Sequence, residues 1–431
     1  MKVPSVCLLL CAVVSNVAAQ NYYLHSFKKT QLTSEFWSEG ATAGDFNHDG
    51  KMDIAAGPFW YAGPDFQKRQ EFMPQPVQGF DRKAADGKVE KVGGYDPHGY
   101  SKNFLAYTYD FNKDDWDDII VLGFPGEDSS WFENPKGQAG HWKRHLALQV
   151  TDNESPTFLD ITGDGKPEVV CNSGGFFGYA EADWKEPTKV WTFHPITPKG
   201  PWQRFTHGMG VGDVNNDGKL DMLEKDGWWE QPKSVVGDPA WIKHAWSFGT
   251  GGAQMFAYDL DGDGDNDVIT SLAAHGYGLA WYENYRENGE IKFREHIIIN
   301  KEPKDSKFGV AFSQLHAVDL VDMDGDGIKD LVTGKRYWAH GPSGDAEPNA
   351  AAVLYWFRTD RKADKTVDFV PYQIDNNSGI GTQVMVGNLN GDKWPDVIVG
   401  NKKGAFAFVH EVKKVGKKEW DTAQPKPFAA Q

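Results

Sequence analysis

A nine-residue loop that recurs along the chain constrains the fold more than any other feature of the sequence. Its form is D-x-[DN]-x-D-G-x-x-D; it begins at Asp45, recurs from positions 110, 160, 213, 259 and 322, and returns in degraded form from Asn388. A short strand-like run precedes each loop, and a β-branched run such as residues 268–270 follows it. Repetition at this spacing is typical of architectures built from stacked supersecondary units.

Each repeat also carries two further strand-like segments. The first is aromatic, as at residues 131–134, and the second resembles residues 142–146. Four strands in each of seven units predict an all-β fold, a seven-bladed β-propeller that forms a single domain over residues 20–431. Only two strand-like runs follow the seventh loop. The sequence FKKT at 27–30 resembles the fourth-strand sequence WKRH at 142–145, so we predict that the N-terminal strand completes the last blade and closes the ring.

The repeated loop concentrates hard oxygen ligands around one point, as Ca²⁺ requires, and its glycine permits the tight turn. Five copies have the full set, which predicts several structural calcium ions with these ligands: Asp45, Asn47, Asp49, Asp53; Asp110, Asn112, Asp114, Asp118; Asp213, Asn215, Asp217, Asp221; Asp259, Asp261, Asp263, Asp267; and Asp322, Asp324, Asp326, Asp330. The copies with Thr162 and Glu168, or with Asn388 and Asn390, should bind weakly or not at all. The alternative is a metal-free Asx turn whose side chains accept local backbone N–H groups. In the second copy Asp115 replaces the glycine, and a left-handed conformation there would carry strain.

These repeats resemble the FG-GAP or VCBS family of calcium-loop propellers, to which the integrin α head belongs. The segments WFENP at 131–135 and LHA at 315–317 are similar to the propeller of fungal aldos-2-ulose dehydratases, and several polysaccharide lyases also use propellers. The resemblance implies a propeller fold with calcium, and carbohydrate as a candidate ligand.

Charge and the N-terminal segment restrict the possible partners and the location. The chain has 61 acidic and 45 basic residues, which opposes binding to nucleic acid or to an anionic membrane. Residues 1–19 combine Lys2, an apolar run and a small-residue cleavage site, so we predict a secretory signal and an extracellular protein, or a periplasmic one in a bacterium. No later apolar run reaches the ~20 residues of a membrane span. We expect a monomer.

The histidines fall into two groups. His145, His194, His244 and His296 occupy equivalent fourth-strand positions, which indicates a scaffold role. Five others break the repeat and map to the face opposite the aspartate loops: His98, His207, His275, His316 and His340. Polar residues gather at the start of the first strands on the same face, namely Glu39, Asn103, Glu154, Gln254, Gln314 and Gln383. A water-filled channel lined by solvated side chains is the alternative interpretation.

A 19-residue turn that begins with Lys335, Arg336, Tyr337 and Trp338 adds to this face. It could hold an anionic or polyhydroxylated ligand, with Trp338 stacking on a sugar; an ion pair between blades with core packing is the alternative. If Arg336 serves the ligand, its substitution should leave the melting temperature nearly unchanged, whereas substitution of Asp263 should damage stability.

No motif for a covalent nucleophile or a phosphate loop is present. Histidine, tyrosine, arginine and lysine suit proton abstraction next to a carbonyl or carboxylate. We therefore predict a secreted carbohydrate lyase or dehydratase. The predicted catalytic residues are His207, His316, Arg336 and Tyr337, supported by His98, His275 and Tyr277; the predicted substrate-binding residues are Lys335, Trp338, His340, Gln254, Gln314, Gln383, Glu39 and Glu154. A noncatalytic glycan- or protein-binding propeller is the second hypothesis, and a glycoside hydrolase using Glu39 and Glu154 is the third.

Overall fold

The computed structural model describes residues 21–83 and 86–428, so the predicted signal at 1–19 lies outside the described residues. The regular secondary structure of the described part is almost entirely β-strand, in a propeller-like fold whose strands pair antiparallel except for one parallel pair between two neighbouring first strands. The strands divide into seven successive units of four, each with one of the seven loops between its first and second strands; we number them units 1 to 7, beginning with the unit of the Asp45 loop.

Units 1 to 3 take up the N-terminal half of the chain. Unit 1 comprises β2 (Thr42–Gly44), β3 (Asp53–Ala56), β4 (Phe59–Ala62) and β5 (Lys68–Glu71). A hairpin, β6 (Phe80–Lys83) and β7 (Val89–Val92), precedes unit 2, which consists of β8 (Leu105–Tyr109), β9 (Asp118–Leu122), β10 (Glu127–Glu133) and the first part of β11 (Lys143–Leu159). The second part of β11 begins unit 3 and pairs with β12 (Glu168–Ser173), which is followed by β13 (Phe176–Glu181) and β14 (Thr192–Pro195).

Units 4 to 7 repeat the arrangement. Unit 4 comprises β15 (Met209–Gly212), β16 (Asp221–Glu224), β17 (Gly227–Glu230) and β18 (Ile242–Ala245); unit 5 comprises β19 (Gln254–Tyr258), β20 (Asp267–Ser271), β21 (Leu279–Glu287) and β22 (Glu290–Ile299). After a 3₁₀ turn (Pro303–Asp305), unit 6 comprises β23 (Val318–Val321), β24 (Asp330–Gly334), β25 (Leu354–Arg361) and β26 (Val367–Asp375). Unit 7 comprises β27 (Val384–Gly387), β28 (Asp396–Asn401), β29 (Gly404–Val415) and the N-terminal β1 (Tyr22–Thr33).

The N-terminal strand β1 supplies the fourth strand of unit 7. It runs antiparallel to β29, from the pair Tyr22 and Val415 to the pair Thr33 and Ala405. A short helix, α1 (Lys417–Ala423), follows in the tail, in contrast to the predicted all-β fold. Trp420 of α1 contacts Tyr22 with ring centroids 5.4 Å apart, so tertiary packing supports a helix too short to be stable alone.

The hydrophobic core is divided into clusters that lie between successive units. Each of seven clusters in the described part draws its buried residues from two neighbouring units. One joins Trp281 of unit 5 to Leu331 and Phe357 of unit 6. Another joins Ile54 of unit 1 to Ile398 of unit 7. The two ends of the series of units therefore pack against each other.

The ninth residue of each loop is a buried acid that fastens the loop to its own sheet. Asp267 accepts the backbone N–H of Leu260, the second loop residue, at 2.9 Å, and that of Asn284, in the third strand, at 2.8 Å. The same pair of contacts recurs at the equivalent acids Asp53, Asp118, Asp221, Asp330 and Asp396. Part of the repeated aspartate pattern is thus explained by backbone hydrogen bonds.

The repeated histidines pack as scaffold, in agreement with their sequence positions. His145, His194, His244 and His296 each stack on an aromatic ring of the preceding strand, with centroids 4.0 to 5.0 Å apart. In units 2, 4 and 5 the histidine Nε2 also lies 2.7 Å from a glutamate two residues beyond that ring.

No helix in the described residues is both long and apolar enough to cross a bilayer.

Candidate functional site

The candidate site lies where the first strands of several units begin. His207 and His316 each come two residues before a first strand, β15 and β23, and His275 follows β20. β23 runs from His316 toward the Asp322 loop, so six extended residues, about 20 Å, separate that loop from the histidine. The site and the aspartate loops therefore lie at opposite ends of the same strands.

Three histidines from units 4, 5 and 6 converge at this end. We call His207, His275 and His316 the histidine cluster. One nitrogen from each ring lies within 4.8 Å of the corresponding nitrogens of the other two. The ring centroids are 4.9 Å apart for His207 and His275, 4.5 Å for His275 and His316, and 5.7 Å for His207 and His316. This arrangement can hold a transition-metal ion, for which imidazole nitrogen is a preferred ligand.

Each ring of the histidine cluster also has an oxygen 3.4 Å from one of its nitrogens. His207 Nε2 lies 3.4 Å from Glu154 Oε1, His275 Nδ1 lies 3.4 Å from Asp345 Oδ1, and His316 Nδ1 lies 3.4 Å from the carbonyl oxygen of Gln314. Carboxylates and carbonyls that accept a hydrogen bond from a ring nitrogen orient metal-binding histidines. At 3.4 Å, His207 Nε2 and His275 Nδ1 lie near their carboxylates but form no hydrogen bond within the described part of the chain. His316 is only 2% exposed, and its Nε2 has no hydrogen-bond partner in the described part of the chain. A buried nitrogen without a partner is costly unless a ligand fills the position.

A buried ion pair network adjoins the histidine cluster through Glu154, which lies near both His207 and Arg336. Arg336 lies 3.0 Å from Glu39 and 3.2 Å from Glu154, and its side chain is 1% exposed. Its guanidinium also lies 5.6 Å from the ring centroid of Phe104. These contacts correspond to the ion pair between blades that the sequence left as an alternative. The expectation that an Arg336 substitution leaves stability unchanged does not fit this burial.

The electrostatics keep Glu154 charged and two histidines of the cluster, His275 and His316, neutral. Burial alone would raise the pKa of Glu154, but the nearby His207 imidazole, together with the Arg336 charge, lowers it to about 2. Burial lowers the pKa of His275 to about 4, and burial together with the nearby Arg336 charge lowers that of His316 well below its ordinary value. Both imidazoles are therefore uncharged at neutral pH, the form that binds metal.

His340 and Asp345, on the turn between β24 and β25, form a second group at the open side of the site. His340 Nδ1 lies 2.8 Å from Asp345 Oδ1, and its ring stacks on His275 with centroids 4.2 Å apart. The ring centroids of Tyr100 and His340 are 6.2 Å apart, and Lys402 Nζ lies 4.7 Å from the Tyr100 ring centroid. Asp345, Tyr100 and Lys402 were not predicted. In the sequence, the signal that could have identified Asp345 was a carboxylate five residues after His340 on the same turn.

Other predicted residues lie outside the histidine cluster. Tyr337 stacks on Trp338 with ring centroids 4.9 Å apart, and the ring centroids of Trp338 and His98 are 5.4 Å apart. These three side chains form an aromatic group on the rim of the site. Lys335 is fully buried and donates to Ser313 Oγ at 2.6 Å, and burial lowers its pKa to about 8. Burial raises the pKa of Tyr277, and Glu347 next to its hydroxyl raises it further.

The three predicted glutamines are engaged in hydrogen bonds within the protein. Gln254 donates to Thr382 O and accepts from Val318 N, and Gln383 pairs with the backbone of Ala106 in unit 2. Gln314 donates to the carbonyl of Ala346. Gln254 and Gln383 also line a cavity of about 190 Å³ bounded by first-strand residues of all seven units. Their amides connect units around this central cavity.

The aspartate loops carry oxygens that also accept local backbone N–H groups. Asp45 accepts from Asp49 N at 2.9 Å and Gly50 N at 2.8 Å, as the Asx-turn alternative requires. Three loops bring acids close enough to share an ion: Asp259, Asp261 and Asp263; Asp322, Asp324 and Asp330; and Asp160, Asp164 and Glu168. The last belongs to the copy expected to bind weakly. Calcium in these loops remains a prediction.

Comparison with known proteins identifies the repeats. The sequence model for the FG-GAP-like repeat matches residues 110–171 and 259–333, so the chain contains FG-GAP-like repeats. Among solved structures, one match is an Agrocybe aegerita lectin described as recognising non-reducing terminal N-acetylglucosamine; it is 17% identical, with a TM-score of 0.44, over 91% of this chain and 85% of that chain. A search of curated protein sequences finds no match.

Proposed function

We propose that the seven units are the blades of one closed seven-bladed β-propeller. The seven hydrophobic clusters between successive units support this, because one of them joins unit 7 to unit 1. The pairing of β1 with β29 also supports it, since it fastens the N-terminus to the last unit. Secretion through residues 1–19 and a monomeric state remain predictions.

We propose that this propeller is a carbohydrate lyase or dehydratase whose site is the histidine cluster. The observation that carries the proposal is the convergence of His207, His275 and His316 beside a buried Arg336 network. Exposure increases from His316 at 2%, through His207 at 15%, to His275 at 30%. The cluster is therefore buried on one side and open to a ligand on the other.

The histidine cluster fits a divalent transition metal such as Zn²⁺ or Mn²⁺. Three imidazoles, including the unpartnered His316 Nε2, supply suitable donors, and three protein ligands leave coordination positions open. A bound ion would polarise a carbonyl or carboxylate of the substrate and so acidify the adjacent C–H bond. Glu154 and Asp345 lie 3.4 Å from ring nitrogens of His207 and His275, where they would orient these rings, and Arg336 pairs with Glu154.

A noncatalytic carbohydrate-binding propeller is the second candidate. The half-buried aromatic side chains on the rim favour it, because Tyr337 and Trp338 could stack on a sugar without any chemistry. A hydrolase is less well supported. Glu39 and Glu154 both pair with the same buried arginine, and a Glu154 carboxyl with a pKa of about 2 is a poor general acid.

Metal analysis tests the proposed site without relying on turnover. Purified protein, dialysed against Zn²⁺ or Mn²⁺, should retain about one transition-metal ion per chain in addition to calcium. Co²⁺ substituted at this position should give visible absorption bands. The variant His275→Gln should lose the ion and the bands, whereas His141→Gln, a histidine paired with Glu71 at 2.7 Å elsewhere, should keep both. Wild-type protein that retains no transition metal at micromolar concentrations would exclude the metal site.

A further inference from the structure

An elimination at the histidine cluster requires two groups that the cluster itself does not supply. A histidine nitrogen that binds a metal ion cannot also accept a proton from the substrate. Arg336 is buried and paired with two glutamates, so it is not available for proton transfer. One group must remove the C–H proton and another must protonate the leaving oxygen. The inference below rests on the proposed function and assigns these two groups.

His340 has the geometry of a general base beside the histidine cluster. Its Nδ1 lies 2.8 and 2.9 Å from the two oxygens of Asp345, and its backbone N–H donates to the same carboxylate at 3.1 Å. No described residue hydrogen-bonds its Nε2, and the side chain is 49% exposed. The ring stacks on His275, so His340 lies directly against one of the proposed metal ligands.

Tyr100 lies next to His340 at the same opening. The centroid of its ring lies 6.2 Å from that of His340 and 5.3 Å from that of Phe124, and Lys402 Nζ lies 4.7 Å from the same centroid. Within the described residues its hydroxyl forms no hydrogen bond, and the side chain is half-buried. Burial raises the pKa of Tyr100, and the Arg336 charge opposes this shift. Tyr337, predicted from the sequence as catalytic, instead packs on Trp338 on the rim.

We propose that His340 Nε2 removes the proton adjacent to the substrate carbonyl or carboxylate and that Tyr100 protonates the leaving oxygen. The electron pair of the C–H bond first moves into the adjacent carbonyl or carboxylate, which gives an enolate, and then returns to form the new carbon–carbon double bond. The C–O bond breaks, its electron pair goes to the oxygen, and that oxygen takes the phenolic proton. The imidazolium then returns its proton to the phenolate through water, which restores both groups.

The two roles predict different partial reactions. The substrates are oligogalacturonate, alginate oligosaccharides and a 2-keto sugar, and elimination is followed by ultraviolet absorbance. Tyr100→Phe should lower kcat by roughly 10²- to 10⁴-fold. In D₂O it should still exchange the substrate C–H proton, which NMR of recovered substrate detects. His340→Gln should lose both elimination and exchange. Both variants should keep the metal content of the wild type.

Matched controls separate these roles from structural effects. Tyr285→Phe changes a half-buried tyrosine on the unit 5 hairpin, and His141→Gln changes a histidine that is 46% exposed and paired with a carboxylate at 2.7 Å. Both should behave as the wild type. If the wild type eliminates and Tyr100→Phe and His340→Gln stay within threefold of it, the assignment is wrong and the proposed function stands. If the wild type converts no member of the panel, both are wrong.

Discussion

Arg336 and Glu39 form an ion pair with nitrogen and oxygen 3.0 Å apart, although 297 residues separate them in the chain. Both side chains are essentially inaccessible to solvent. Arg336 follows the second strand of unit 6 and Glu39 precedes the first strand of unit 1. The ion pair therefore joins units 6 and 1, which are separated in the sequence by unit 7. The candidate site thus depends on a contact between units 6 and 1, which lie far apart in the sequence.

Arg336→Met should destabilise the protein strongly. The substitution leaves Glu39 and Glu154 buried without their cation, which typically costs 3–5 kcal/mol. Urea unfolding followed by tryptophan fluorescence measures the change. Arg82→Met, which breaks an exposed pair with Glu90, is the control and should cost at most about 1 kcal/mol. A loss below 1 kcal/mol for Arg336→Met would show that the network is not buried as described.

The contact of β1 with β29 should make the protein sensitive to acid. His25 Nδ1 lies 2.9 Å from His410 Nε2. Burial lowers the pKa of both to about 4; the nearby Arg358 charge adds to the shift at His25, and Asp392 opposes it at His410. The unfolded chain, with pKa values near 6.5, binds more protons than the folded chain between pH 6.5 and 4. Stability should therefore fall as the pH falls through this window.

Melting temperatures of the wild type and His25→Phe, measured from pH 7 to pH 4, isolate this contribution. The variant should lose less stability than the wild type over the window, because one of the two titrating groups is gone. Parallel curves for the two proteins would mean that the histidine pair does not titrate as proposed.

Calcium in the aspartate loops should stabilise the fold. Clusters such as Asp259, Asp261 and Asp263 repel one another unless a cation or backbone N–H groups compensate them. A chelator should lower the melting temperature markedly, and calcium analysis should find at least three ions per chain. Fewer ions together with no response to chelator would favour the metal-free Asx turns.

Asp115→Gly should stabilise the second loop. Asp115 has φ of 67° and donates its N–H to Asp110, as Gly50 does to Asp45 in the first loop. Relief of the left-handed strain should add up to about 1 kcal/mol, measured by urea unfolding. Asp115→Asn removes the charge and keeps a β-carbon, so it is the control and should gain less. Equal gains for the two variants would assign the effect to charge.

The repeat determined much of the fold because each loop specifies a local turn between two strands. Asp267 and its equivalents act on neighbours close in sequence, so their pattern is visible without a structure. The site is different. Glu39, Glu154 and Arg336 come from units 1, 3 and 6, and which of them meet depends on packing around the whole fold. The sequence therefore identified His207, His275 and His316 as unusual but not their convergence, and it gave Tyr100 no distinguishing pattern.

The most direct test of the central proposal is ultraviolet absorbance during incubation of metal-loaded protein with acidic polysaccharides and oxidised sugars. Elimination creates a conjugated double bond, whereas hydrolysis and binding create none. We expect absorbance to rise with at least one substrate, to stop after chelation of the transition metal and to resume when Zn²⁺ or Mn²⁺ is restored. No rise with any substrate, together with retained glycan binding, would contradict the account and favour a noncatalytic propeller.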